Sequence, residues 1–185
     1  NVYNRRMQPK RLAVISYHTC PLSDEKNAEI GGMNIYVLEL SKALTEKGYV
    51  IDIYTRCVDK HCPGIVKVGS GLRIIHLAAG KQAELPKKEL IRYISEFSGN
   101  LSDFITREKL SYDFISAHYY LSGLIGLKLK KKLRIPLIVT FHTLALMKNL
   151  VGRDGEKESL QRIESELLLT KLADKIIATS QADVE

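Results

Sequence analysis

Residues 114–141 read FISAHYYLSGLIGLKLKKKLRIPLIVTF. Phe114 to Ala117 form a short β-prone run. Leu121, Ile125, Leu129 and Leu133 then recur at every fourth position, the period of a helix with one buried face. Residues 137–141 return to an apolar, β-rich run. Two strands joined by a helix form the unit from which parallel sheets are built.

The same alternation continues outward. Residues 11–17 (RLAVISY) predict a buried strand, and Met33, Tyr36, Val37, Leu40 and Leu44 an amphipathic helix that Gly48 would end. Residues 50–55 (VIDIYT) predict a second strand, and residues 66–68 and 72–77 a hairpin or a bulged third strand around Gly69-Ser70-Gly71. Pro86 opens a helix whose buried face is Leu90, Ile94, Phe97, Leu101 and Phe104, with a kink expected at Ser98-Gly99-Asn100. Residues 147–155 predict a loop broken by Gly152 and Gly155, and Leu160, Ile163, Leu167 and Leu172 a last helix before a final strand at 175–179. The expected fold class is α/β: a Rossmann-like, doubly wound, mainly parallel sheet with helices on both faces.

The chain has 185 residues, 45% hydrophobic and 26% charged, which suits one folded domain and excludes a disordered or collagen-like chain. Residues 1–10 read as a flexible leader without the apolar region of a signal peptide. No apolar run approaches the ~18 residues of a membrane-spanning helix. Three cysteines are too few, and odd in number, for a disulfide framework. Cys57 and Cys62 lack the second pair or matching histidines of a zinc site. A soluble cytoplasmic protein is expected. The net charge of +7 owes much to residues 128–134, whose lysines fall on the solvated side of a helix. No zinc-finger or RNA-binding motif accompanies them, so no nucleic-acid partner is expected. A membrane surface is possible but not favoured.

Ligands of such sheets bind at the carboxyl ends of the strands. His18, Thr19, His118, Tyr119, His142 and Thr143 all follow strand ends. Such histidines suit hydrogen bonds to sugar hydroxyls or polarisation of a reacting oxygen; a lone one is more often structural. Gly31-Gly32-Met33-Asn34 opens the first helix, where free N–H groups favour an anion. The spacing from its strand is wrong for a dinucleotide fingerprint, and an ordinary glycine turn with Asn34 near the N-cap fits as well. There is no phosphate-binding P-loop and no nucleophile elbow.

Four segments then carry a resemblance: residues 18–22 (HTCPL), 31–37 (GGMNIYV), 117–123 (AHYYLSG) and 141–145 (FHTLA). In this order and spacing the chain resembles the N-terminal domain of retaining family 4 glycosyltransferases of the two-domain GT-B fold, over about residues 11–181. The nearest subgroup holds the mycothiol-pathway inositol-phosphate enzymes and the sucrose-phosphate synthases, and residues 162–166 (RIESE) are especially similar to the latter.

The resemblance implies transfer of a sugar, with retention, from a nucleotide-diphosphate sugar such as a UDP-sugar to a hydroxyl of a phosphorylated small molecule. It requires no metal and no cofactor beyond that donor. It assigns Gly31 and Gly32 to the donor diphosphate and His118, as catalytic candidate, to the transferred sugar. Lys87, Tyr119, Thr143 and Arg162 match the four residues that gather an acceptor phosphate, and His18 and Asn34 are further acceptor-side candidates. No acidic partner for Lys87 or Arg162 is evident, so both are expected to face the crevice as unpaired cations. Glu29-Ile30 replaces a common Asp-Ala pair, and Tyr120 a frequent tryptophan. The family's C-terminal donor-binding domain, with its E-x7-E glutamates, is absent from residues 1–185, so this fragment alone is expected to be inactive. Two alternatives stay open: a non-catalytic sugar- or nucleotide-binding module, and a peripheral membrane glycosyltransferase acting on a lipid.

Overall fold

The computed structural model describes residues 9–23, 32–152 and 157–179. Most of the expected leader, together with Glu29, Ile30, Gly31 and Gly155, lies outside them.

Seven strands form one sheet: β1 (Arg11–Ile15), β2 (Val50–Arg56), β3 (Ile65–Gly69), β4 (Leu72–Leu77), β5 (Phe114–His118), β6 (Leu137–Thr140) and β7 (Lys175–Ile177). Their order is β3-β4-β2-β1-β5-β6-β7. Every neighbouring pair is parallel except β3 with β4. That hairpin also carries a register shift between Lys67 and Gly69, so the Gly69-Ser70-Gly71 segment yields both a turn and a bulge.

Alternation along the strands splits the core in two. Leu12 and Val14 of β1 join Ile51, Ile53, Leu72 and Ile74 on one face. There helix α1 (Gly32–Glu46) lays Val37 and Leu44. Ala13 and Ile15 point the other way, into a larger cluster. That cluster includes Phe97 and Leu101 of α3 (Ile94–Arg107), Leu121 and Ile125 of α4 (Tyr120–Leu133), and Leu169 of α6 (Leu160–Leu172). The expected layers on both faces are therefore present. Helix α4 owes its position to two glycines. A Cβ at Gly126 would meet Leu137 Cδ1 at 2.6 Å, and one at Gly123 would meet Leu169 Cδ1 at 2.6 Å.

Three local expectations are corrected. Residues 145–151 form a helix, α5 (Ala145–Val151), rather than a loop. It buries only Ala145, so it lacks the periodic apolar face that signals a helix. The break in the helical segment after Pro86 does not fall at Ser98-Gly99-Asn100, which α3 spans unbroken. It comes earlier, at a 3-10 turn (Ile91–Tyr93) between α3 and the short helix α2 (Lys87–Leu90). The last strand stops at Ile177 rather than at residue 179.

Candidate functional site

Strands β1, β5 and β6 are adjacent and parallel, so the residues that follow them gather at one edge of the sheet. There they border a cavity of about 600 Å³. His18 and Thr19 after β1, Tyr119 after β5, and His142 and Thr143 after β6 line it. Gly32, Met33, Asn34 and Tyr36 of the first turns of α1 form another wall, Lys87 opens α2 onto it, and Ala178 and Thr179 follow β7. Two strand-end residues, Tyr119 (φ 77°) and His142 (φ 65°), have left-handed backbone conformations. For side chains larger than glycine this strain is held in place by its surroundings and concentrates at functional sites.

Lys87, Tyr119 and Thr143, expected to converge, all reach this cavity. The fourth member is corrected. Arg162 is 2% exposed and is not an unpaired cation facing the crevice. Its Nη1 lies 2.7 Å from Glu158 Oε1 and its Nε 2.7 Å from Glu166 Oε1. The remaining nitrogen, Nη2, donates to Thr143 O (2.8 Å) and Thr143 Oγ1 (3.1 Å). The guanidinium carbon sits 4.8 Å from the centre of the Tyr119 ring. Arg162 thus braces two lining residues from behind. Glu166 stands one helical turn after Arg162 in α6, a pairing visible in the sequence, while Glu158 reaches it from just before the helix. Glu158 is desolvated, which raises a carboxyl, yet Lys148 and Arg162 hold it below the usual carboxylate value.

Asn34 is 2% exposed and its Nδ2 donates to Thr19 Oγ1 at 2.8 Å, tying the start of α1 to the loop after β1. Gly32 lines the cavity at the head of α1. Gly31 lies outside the described residues. His118 is 1% exposed and stands behind the wall rather than on it. Its Nδ1 is 3.0 Å from Nε2 of the lining His142, and its Nε2 is 3.3 Å from Ser116 Oγ. Tyr36 presents its ring to both histidines, with centroids 5.9 Å and 5.1 Å away. His142 and Tyr36 are thus lining residues beyond those assigned from the resemblance. His142 carries a strand-end signal in the sequence; Tyr36 reads only as helix face.

Burial holds all three imidazoles neutral. His18 is pushed down from 6.5 to about 3, chiefly by desolvation and then by the charge of Lys87. His118 falls to about 3 and His142 to about 4, again through desolvation. At neutral pH these imidazoles therefore add no positive charge beside Lys87. In an unfolded chain the same imidazoles take up protons below about pH 6.5. The unfolded state then binds more protons than the folded one, so stability is complete above that pH and is lost as pH falls from 6.5 toward 3. The urea midpoint is expected to stay level between pH 8 and 7 and to drop across that acidic window. A midpoint that rises on acidification would contradict the neutral-histidine assignment.

Among the described residues, no three His, Cys, Asp or Glu side chains group as a metal site, and no helix is long and apolar enough to cross a membrane.

This strand order, with its cavity at the carboxyl edge against the head of α1, makes a Rossmann-like domain, and it matches solved structures of GT-B glycosyltransferases. The chain belongs to Glycosyltransferase Family 4, which matches residues 30–185. It is 40% identical over 176 residues to a D-inositol 3-phosphate glycosyltransferase of Corynebacterium glutamicum, covering 95% of this chain and 42% of that protein. A protein of the same name from Thermobifida fusca is 36% identical over 179 residues, covering 96% of this chain and 41% of its own. Among solved structures, sucrose-phosphate synthase from Thermosynechococcus elongatus superposes with a TM-score of 0.87 at 28% identity, covering 95% of this chain and 43% of that one. The chain thus spans about two fifths of the length of these relatives and corresponds to their N-terminal part.

Proposed function

We propose that this chain is the acceptor-side half of a retaining glycosyltransferase that moves a sugar from a nucleotide-diphosphate sugar to a hydroxyl of a phosphorylated polyol or sugar. The observation that carries this reading is the convergence of Lys87, Tyr119 and Thr143 on one cavity, with Arg162 bonded to the third. A phosphate dianion calls for a cation and hydroxyl donors, and charge-assisted bonds of this kind are the strong ones. The Tyr119 phenol is kept protonated by burial, so it donates. Thr143 Oγ1 already accepts from Arg162, which leaves its own proton to point elsewhere. Two relatives named for inositol 3-phosphate fit the same chemistry.

On the donor side, the head of α1 at Gly32, with Gly31, offers N–H groups to the diphosphate that leaves. Catalysis is then positioning and charge stabilisation, without a metal or further cofactor. The rest of the nucleotide-sugar site and the paired glutamates belong to a second domain, and residues 1–185 alone are inactive. The cytoplasm, where activated sugars are available, is its place of work.

The experiment is a transfer assay on the full natural chain with a panel of nucleotide-diphosphate sugars, comparing D-inositol 3-phosphate with myo-inositol. The phosphorylated acceptor should be used at least about tenfold better in kcat/KM, the low end for one charged hydrogen bond. Equal use of both acceptors would overturn the reading.

A further inference from the structure

Lys87 follows a connection, residues 78–86, that runs from β4 over the carboxyl edge of the sheet. Within it Ala83 N donates to Lys81 O at 2.9 Å, and side chains hold it at several further points. Asn100 Nδ2 donates to Ala78 O at 2.7 Å, and Glu96 Oε2 accepts from Gly80 N at 3.0 Å. Gly80 has a positive φ of 65° and sits against the Tyr93 ring, where a Cβ would come within 2.6 Å. The half nearer Lys87 is held from below by Arg56, the last residue of β2. Its Nη1 donates to Lys81 O at 2.8 Å and its Nη2 to Ala83 O at 2.7 Å. A longer contact, 3.4 Å, joins Nη1 to Cys57 O.

Arg56 is an unusual choice for closing a turn. The residue is 2% exposed, and its Nε is buried without a hydrogen-bond partner among the described residues. Burial lowers its pKa, a shift that Tyr17 above all partly offsets. Burying a cation against backbone carbonyls is costly. The rigid fork of a guanidinium holds two carbonyls from separate nitrogens in fixed directions, which a lysine ammonium at the end of a flexible stem does not reproduce. The cost is justified where the path of the chain matters, and three residues beyond Ala83 the path reaches Pro86 and then Lys87.

We propose that Arg56 is a positioning residue for the acceptor's phosphate: by holding the carbonyls of Lys81 and Ala83 it fixes residues 81–86 and delivers Lys87 to the cavity. Arg56 itself touches no ligand. The inference rests on the reading of Lys87, Tyr119 and Thr143 as a phosphate site, and it adds a residue on another strand that sets selectivity for phosphorylated acceptors.

The test is a double-mutant cycle in the full natural chain, reading KM for D-inositol 3-phosphate and for myo-inositol. Arg56→Met should raise KM for the phosphorylated acceptor about five- to tenfold and leave that for myo-inositol within about twofold. In a Lys87→Ala background, Arg56→Met should add nothing, because its effect travels through the lysine. Should Arg56→Met fail to fold, Arg56→Lys keeps the charge but loses the fork, and the same selective rise and the same non-additivity are expected. Equal losses for both acceptors, or effects that add to those of Lys87→Ala, would make Arg56 merely structural and overturn the proposal. A Lys87→Ala variant that keeps its preference for the phosphorylated acceptor would instead remove the phosphate site, a distinct failure because Arg56 is intact in it.

Discussion

Replacing Arg162 with alanine is expected to cost about 3–5 kcal/mol of folding stability, the range for removing one partner of a buried ion pair. The guanidinium holds Glu158 and Glu166, each at 2.7 Å, and the Thr143 carbonyl at 2.8 Å. Glu166 is 5% exposed and, among the described residues, would keep only the N–H of Ala145, at the head of α5, as a hydrogen-bond donor. A double variant, Arg162→Ala with Glu166→Gln, should recover part of the loss, because the stranded charge is gone. Urea denaturation followed by circular dichroism reads both, and a loss under about 1 kcal/mol for Arg162→Ala would contradict the buried network. Effects on acceptor use then need to be measured on protein shown to be folded, since Arg162 braces Thr143 and Tyr119 from behind the wall.

The histidine pair should give the largest effect on turnover. His118 Nδ1 and His142 Nε2 share one hydrogen bond at 3.0 Å, and both rings are held neutral, so one donates and the other accepts. His142 lines the cavity, while His118, 1% exposed, sets its ring. Groups that act mainly in the transition state lower kcat more than they weaken binding. His118→Ala and His142→Ala are each expected to lower kcat about 10²-fold, with donor KM changed less than about threefold. The double variant should be no worse than the weaker single one, as for residues that act as a unit. Turnover of His118→Ala within about twofold of the unmodified protein would assign that residue a structural role.

Particular residues show what sequence reading reaches and where it stops. Residues 114–141 announce strand, helix and strand through apolar periodicity alone, and the structure has β5, α4 and β6 there. Convergence of Lys87, Tyr119 and Thr143 follows from strand ends and a helix start, which topology brings to one edge. Helix α5 escaped because it exposes Leu146, Leu150 and Val151 and buries only Ala145; its support is tertiary, through Glu166 on Ala145 N and Lys148 with Glu158. The i+4 partner of Arg162, Glu166, is legible but competes with ordinary surface charge in the same helix, and Glu158 pairs from outside that helix. The contact of His118 with His142 depends on the register of β5 against β6, where His118 pairs with Thr140, and no local pattern carries that. Nor does anything local tell Arg56 from an exposed strand-end arginine.

Lys87, with Tyr119 and Thr143, is proposed to receive the phosphate of the acceptor. The most direct measurement of this role is the ratio of kcat/KM for D-inositol 3-phosphate to that for myo-inositol, before and after Lys87→Ala in the full natural chain. The ratio should start at about ten or more and fall toward one on substitution, through loss with the phosphorylated acceptor alone. A ratio that Lys87→Ala leaves unchanged would contradict the account.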